Sequence, residues 1–157
     1  MSVAIDVGHL DAMTYVLLHE ATHIVDGSLG VIRDTAAPTE YHPLVRGVWR
    51  DRTTPADPYR QPILMDIRYR QNGHVLPVSK APELYDALGR TPFISVYGSC
   101  NWHEDIAELL AWTELTERLH QPYRILIQKG GKVIRVIEPA KSKLVQVRLK
   151  DLVQLTG

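Results

Sequence analysis

Apolar residues return at helical spacing between Asp11 and Asp26, where Met13, Val16, Leu17, Ala21, Ile24 and Val25 mark out a periodic segment. Asp11 is placed to cap its start, Leu10 to staple it, and Gly27 to stop it in a left-handed turn. The density of apolar positions predicts a helix buried on much of its circumference. A second periodic run follows Asn101, with Ile106, Ala107, Leu109, Leu110, Leu115 and Leu119 on its apolar face. Asn101 is its natural N-cap, Glu104 stands three places on as in a capping box, and Pro122 ends it.

Between these helices the pattern is broken. Five prolines and five arginines interrupt residues 33–62, which reads as a long irregular loop. Ile63–Tyr69 and His74–Val78 read as short strands around an Asn72-Gly73 turn, and Pro82–Leu88 as a short helix stopped by Gly89. Phe93–Tyr97 is short and apolar. Tyr123–Ile127 and Val133–Ile137 are β-branched and alternating, and Gly130-Gly131 between them signals a hairpin. Ser142–Leu155 reads as a helix capped by Ser142, with a strand through Val145 and Val147 as the alternative. The sum is an α+β fold in a single domain, 1–157, ending in a basic hairpin plus helix at 118–157.

Composition narrows this little. At 157 residues, with 45% apolar and 23% charged, the chain has the makings of a packed core and not of a disordered segment. No run approaches the roughly 18 apolar residues of a membrane span. One cysteine excludes an internal disulfide, and a lone cysteine such as Cys100 is more often buried and inert than reactive. Met1–Val7 lacks the basic start and apolar stretch of a signal peptide, which makes the cytoplasm the default compartment. The net charge of zero hides an asymmetry. Residues 1–117 hold 9 Lys+Arg against 16 Asp+Glu, whereas 118–157 hold 9 against 2. Without any nucleic-acid motif, the simpler reading is two halves attracting each other within one fold, which argues against a nucleic-acid partner.

The chemistry lies at His19-Glu20-Ala21-Thr22-His23. On a helix, positions i and i+4 share a face, so two imidazoles can bind one zinc ion from two corners of a tetrahedron. Glu20 between them is placed to act as general base on a water. Two histidines on a buried helix also need polar partners, which a metal provides. A catalytic zinc takes three protein ligands and keeps one position open. Asp26 and Leu29 stand where a metzincin needs glycine and histidine, so that continuation is excluded. The second helix offers Glu104 and Glu108, again at i and i+4. One can ligate while the other fixes a histidine, and His103 and Asp105 are further candidates.

His19-Glu20-x-x-His23-x-x-Asp26, then Tyr97, then Glu104-Asp105-x-Ala107-Glu108 resembles the gluzincin metallopeptidases related to anthrax lethal factor. The likeness covers about 9–27 and 93–112. It implies a zincin-like arrangement, with the HExxH helix packed against a second helix that carries the third ligand, beside a small sheet. It further implies Zn2+ held by His19, His23 and Glu104, with Glu108 and Asp26 supporting the ligands from behind. Glu20 becomes the general base and Tyr97 the phenol that stabilises the oxyanion. The activity implied is peptide-bond hydrolysis on a protein or peptide substrate. The alternative is a non-catalytic zinc domain serving interaction or regulation, in which four-ligand closure leaves no task for Glu20. Three features depart from the family. The strands that precede the HExxH helix and form the substrate-binding edge are missing or replaced, the stretch at 33–62 has no counterpart, and His103 beside Glu104 is an extra potential ligand.

Overall fold

The computed structural model describes residues 1–29, 42–70 and 73–156. The part of the expected loop from 33 to 41, and Asn72 of the expected turn, lie outside them. Three antiparallel strands form one sheet in the order β1 (Ser2–Asp6), β2 (Arg124–Lys129), β3 (Lys132–Ile137). The α-helices among the described residues are α1 (Ala12–Leu29), α2 (Pro62–Met65), α3 (Ala81–Leu88), α4 (Trp102–Thr113) and α5 (Lys143–Thr156). The α+β class expected from the periodicities is the class observed. Among the described residues no helix is long and apolar enough to cross a membrane.

The core is built around α4. Its Asn101 cap accepts from the amides of His103 and Glu104 at 3.0 and 3.1 Å, which sets the first turn. Trp102, Ile106, Leu109 and Trp112 then pack among Leu44, Trp49, Phe93, Ile94, Ile125 and Val145. The helix continues through a π turn at Glu114–Arg118, and the positive φ of His120 turns the chain toward Pro122.

Helix α1 begins where expected, with Asp11 Oδ1 accepting from the Met13 amide at 2.9 Å. It does not stop at Gly27, which stays helical, and runs on to Leu29. The expected burial is also corrected. Ile24 is 70% exposed, Leu17 62% and Met13 59%. Among the described residues α1 packs chiefly on one helix, α4, and the stripe through Tyr15, Leu18, His19 and Thr22 turns toward it.

The hairpin stands as read, its reversal made by two glycines both at positive φ. A strand does precede α1. In β1, Val3 pairs with Ile127 and Ile5 with Ile125. It leads through Gly8, at φ +74°, which passes against Gln121 and Pro122. The strands expected at Ile63–Tyr69 and His74–Val78 do not form. Pro62, with φ preset for a first helical turn, starts α2 instead, and only a single bridge joins Ile67 to His74. Helices α3 and α5 lie within a residue or two of expectation, and the strand alternative through Val145 is not taken.

The charge asymmetry resolves into pairs between the two parts of the chain. Arg124 meets Asp6, Arg135 meets Asp86 and Arg148 meets Asp105.

Candidate metal centre

Helices α1 and α4 pack so that Tyr15 lies beside Glu108, His19 between Glu104 and Glu108, and Asp26 beside His103. Their contact brings three ligand atoms to one point. His19 Nε2 lies 3.0 Å from Glu104 Oε2, His23 Nε2 lies 3.2 Å from the same oxygen, and the two imidazole nitrogens are 3.1 Å apart. His19, His23 and Glu104 are also the group of metal-ligating side chains that converge among the described residues.

Glu104 does not complete a capping box, because its carboxylate goes to the histidines. Glu108 stands behind His19, with Oε1 2.7 Å from Nδ1. A carboxylate only accepts, so Nδ1 carries a proton, and in a neutral His19 the lone pair on Nε2 faces the cluster. That leaves lone pairs of His19 and Glu104 directed at one another, which a further proton or a cation must satisfy.

The electrostatics agree. The hydrogen bonds to Glu104 and Glu108 outweigh burial and lift the His19 imidazolium to about 9. Burial alone would raise the Glu104 carboxyl, but the hydrogen bond from His19 and the charges of His23 and His19 hold it below its usual range.

No protein-family model, curated protein or solved structure matches the chain. The site is therefore argued from its own atoms.

Tyr97 is placed at this cluster. Its ring centroid is 5.7 Å from that of His19. Burial and the nearby carboxylates push the phenol up to about 12, so it is a donor at neutral pH. Tyr69 stacks edge-on against Tyr97 at 5.3 Å, forming an aromatic wall beside the site. Glu20 is exposed on α1 and has no hydrogen-bond partner among the described residues. Asp26 meets His103, its Oδ2 2.9 Å from Nδ1, at the far end of α1, so His103 lies outside the three-atom cluster.

Asp105 points the other way. It is fully buried, with Oδ1 and Oδ2 each 2.8 Å from the Arg148 guanidinium of α5 and Oδ2 2.7 Å from Trp49 Nε1. Arg148 also donates to the carbonyls of Pro92 and Leu44. Helix α4 thus offers carboxylates in two directions, Glu104 and Glu108 to α1 and Asp105 to the core.

Sequence reasoning missed two of these partners. Tyr15 donates to Glu108 Oε2 at 3.1 Å. Its signal was present, since Tyr15, His19 and His23 recur at i, i+4 and i+8 on one face. Arg148 had no local signal, because its partner lies 43 positions away.

Proposed function

We propose that the chain is a zinc-dependent peptidase of zincin-like arrangement, with His19, His23 and Glu104 as the metal ligands. The observation that carries this reading is the triangle of His19 Nε2, His23 Nε2 and Glu104 Oε2, with sides of 3.0–3.2 Å. Zinc–ligand bonds of about 2.0–2.1 Å in a tetrahedron put neighbouring ligand atoms about 3.3 Å apart, so the triangle needs to open by only a few tenths of an ångström. Two imidazoles and one carboxylate also match the donor set of a catalytic zinc, which keeps its fourth position open.

Zinc held there would supply Lewis acidity, polarising a scissile carbonyl and bringing the pKa of a water toward about 7. The residues of the chain supply the rest. Glu20, exposed and uncommitted, takes a proton from the attacking water and passes it to the nitrogen of the leaving amine as the C–N bond breaks. Tyr97 keeps its hydroxyl proton and donates a hydrogen bond to the oxyanion that forms on the former carbonyl oxygen. Glu108 holds the Nδ1–H of His19, which keeps the Nε2 lone pair directed at the ligand cluster.

The test compares zinc content and chelator-sensitive hydrolysis of a fluorescently labelled unfolded protein in wild type and Glu20→Gln. The expected result is one zinc per chain in both and hydrolysis in wild type alone. Equal hydrolysis by both overturns the role of Glu20. Zinc retained without hydrolysis in wild type leaves the non-catalytic zinc domain, and failure to retain zinc removes the whole reading.

A further inference from the structure

The hydrogen bonds behind His19 reach deeper than the ligand cluster. Glu108 is buried, and both its oxygens are engaged, Oε1 by His19 and Oε2 by the Tyr15 hydroxyl. Tyr15 is itself in contact with Tyr123, their ring centroids 5.5 Å apart. A phenol has one proton, and that of Tyr15 goes to Glu108 Oε2 at 3.1 Å. Burial pushes the Tyr15 phenol well above its ordinary range, which keeps it protonated. Glu108 therefore accepts from Tyr15 on one oxygen and from His19 Nδ1 on the other.

This arrangement does what packing alone does not. Phenylalanine would fill the place of Tyr15 equally well, and a buried hydroxyl there carries a desolvation cost that only a hydrogen bond offsets. A carboxylate held by one oxygen rotates about its last bond, whereas one held by both is fixed in plane.

We propose that Tyr15 is a positioning residue for the metal centre. It locks the Glu108 carboxylate so that Oε1 accepts from His19 Nδ1 and the Nε2 lone pair is directed at the cation. The inference rests on the zinc reading above and adds to it a residue of no metal-ligating motif.

The experiment measures the zinc dissociation constant by competition with a chromogenic chelator for wild type, Tyr15→Phe, Glu108→Gln and the double variant Tyr15→Phe/Glu108→Gln. Supporting partners of metal ligands are typically worth about 10–100-fold in affinity. Tyr15→Phe is expected to weaken zinc about tenfold. In the Glu108→Gln background, Tyr15→Phe is expected to add nothing, because its effect passes through that carboxylate. A purely structural role would lower the melting temperature in both backgrounds and leave affinity unchanged. Tyr15→Phe within twofold of wild type, or an equal loss in both backgrounds, overturns the inference while leaving the zinc reading intact. Absence of zinc binding by wild type overturns both. Should Tyr15→Phe fail to fold, Tyr15→Leu alone and with Glu108→Gln is judged by the same criteria.

Discussion

Zinc uptake by this chain should be steeply pH-dependent well above the range of an ordinary histidine. The cause is the proton that His19 holds between Glu104 and Glu108. His19 is raised to about 9 by its hydrogen bonds to Glu104 and Glu108, so at pH 7 it carries a proton that the cation must displace. The direction follows from the raised value. Affinity is lost as pH falls below the folded pKa and levels off above it. Two pH units below that value, about one molecule in 100 is deprotonated, which weakens apparent affinity about 100-fold relative to the plateau. Glu104 contributes no slope here, because its carboxyl lies below its usual range and is ionised throughout. The assay is competition with a chelator of known proton affinity between pH 6.5 and 9.5. The expected slope is one tenfold gain per pH unit up to about 9. Glu108→Gln removes one of the acceptors that raise His19, so its plateau should begin at lower pH. A wild-type affinity already flat from pH 7 to 9 would refute the argument, since His19 would then hold no proton for the metal to displace.

Three further outcomes follow from the packing. Asp105→Ala leaves the buried Arg148 guanidinium without its carboxylate and should destabilise the fold by about 3–5 kcal/mol in chemical denaturation, while Asp105→Leu with Arg148→Met should recover most of the loss. Gly8→Ala places a Cβ 2.3 Å from Gln121 Oε1 and 2.7 Å from Pro122 Cδ at φ +74°, and should cost more than about 1 kcal/mol by thermal melting. Asn101→Ala removes the cap of α4 and should cost about 1 kcal/mol. Because that cap fixes the turn carrying Glu104, the same variant should also weaken zinc in a competition titration.

What could be read beforehand depended on local chemistry. The i, i+4 spacing of His19 and His23, the Asn101 cap and the Gly130-Gly131 hairpin each depend on neighbours within a few residues, and each is present. The pairing of Glu104 and Glu108 with α1 was legible because two carboxylates one turn apart face one way. Long-range choices were not. The short strand β1 finds its partner more than a hundred residues later, so nothing near Ser2–Asp6 announced it. The exposure of Leu17 and Ile24 depended on how many helices pack on α1, which periodicity does not count. At Ile63–Tyr69 the β-like composition yielded to Pro62, which favours a first helical turn. Asp105 and Glu104 are neighbours in sequence with opposite fates, decided by Arg148 from the last helix.

The pairing of β1 with β2 sets an order of events. Residues 2–6 hydrogen-bond residues 124–128, so the strand that leads into α1 finds its register only when the far end of the chain is in place. Contacts of such sequence separation close late, because the entropy of the loop must be overcome before they contribute. On the ribosome, the histidine helix emerges first and waits for its carboxylates, and then for the strand that anchors its lead-in. A nascent chain halted before Arg124 would bear the histidines of α1 and the carboxylates of α4 while leaving β1 without a strand to join.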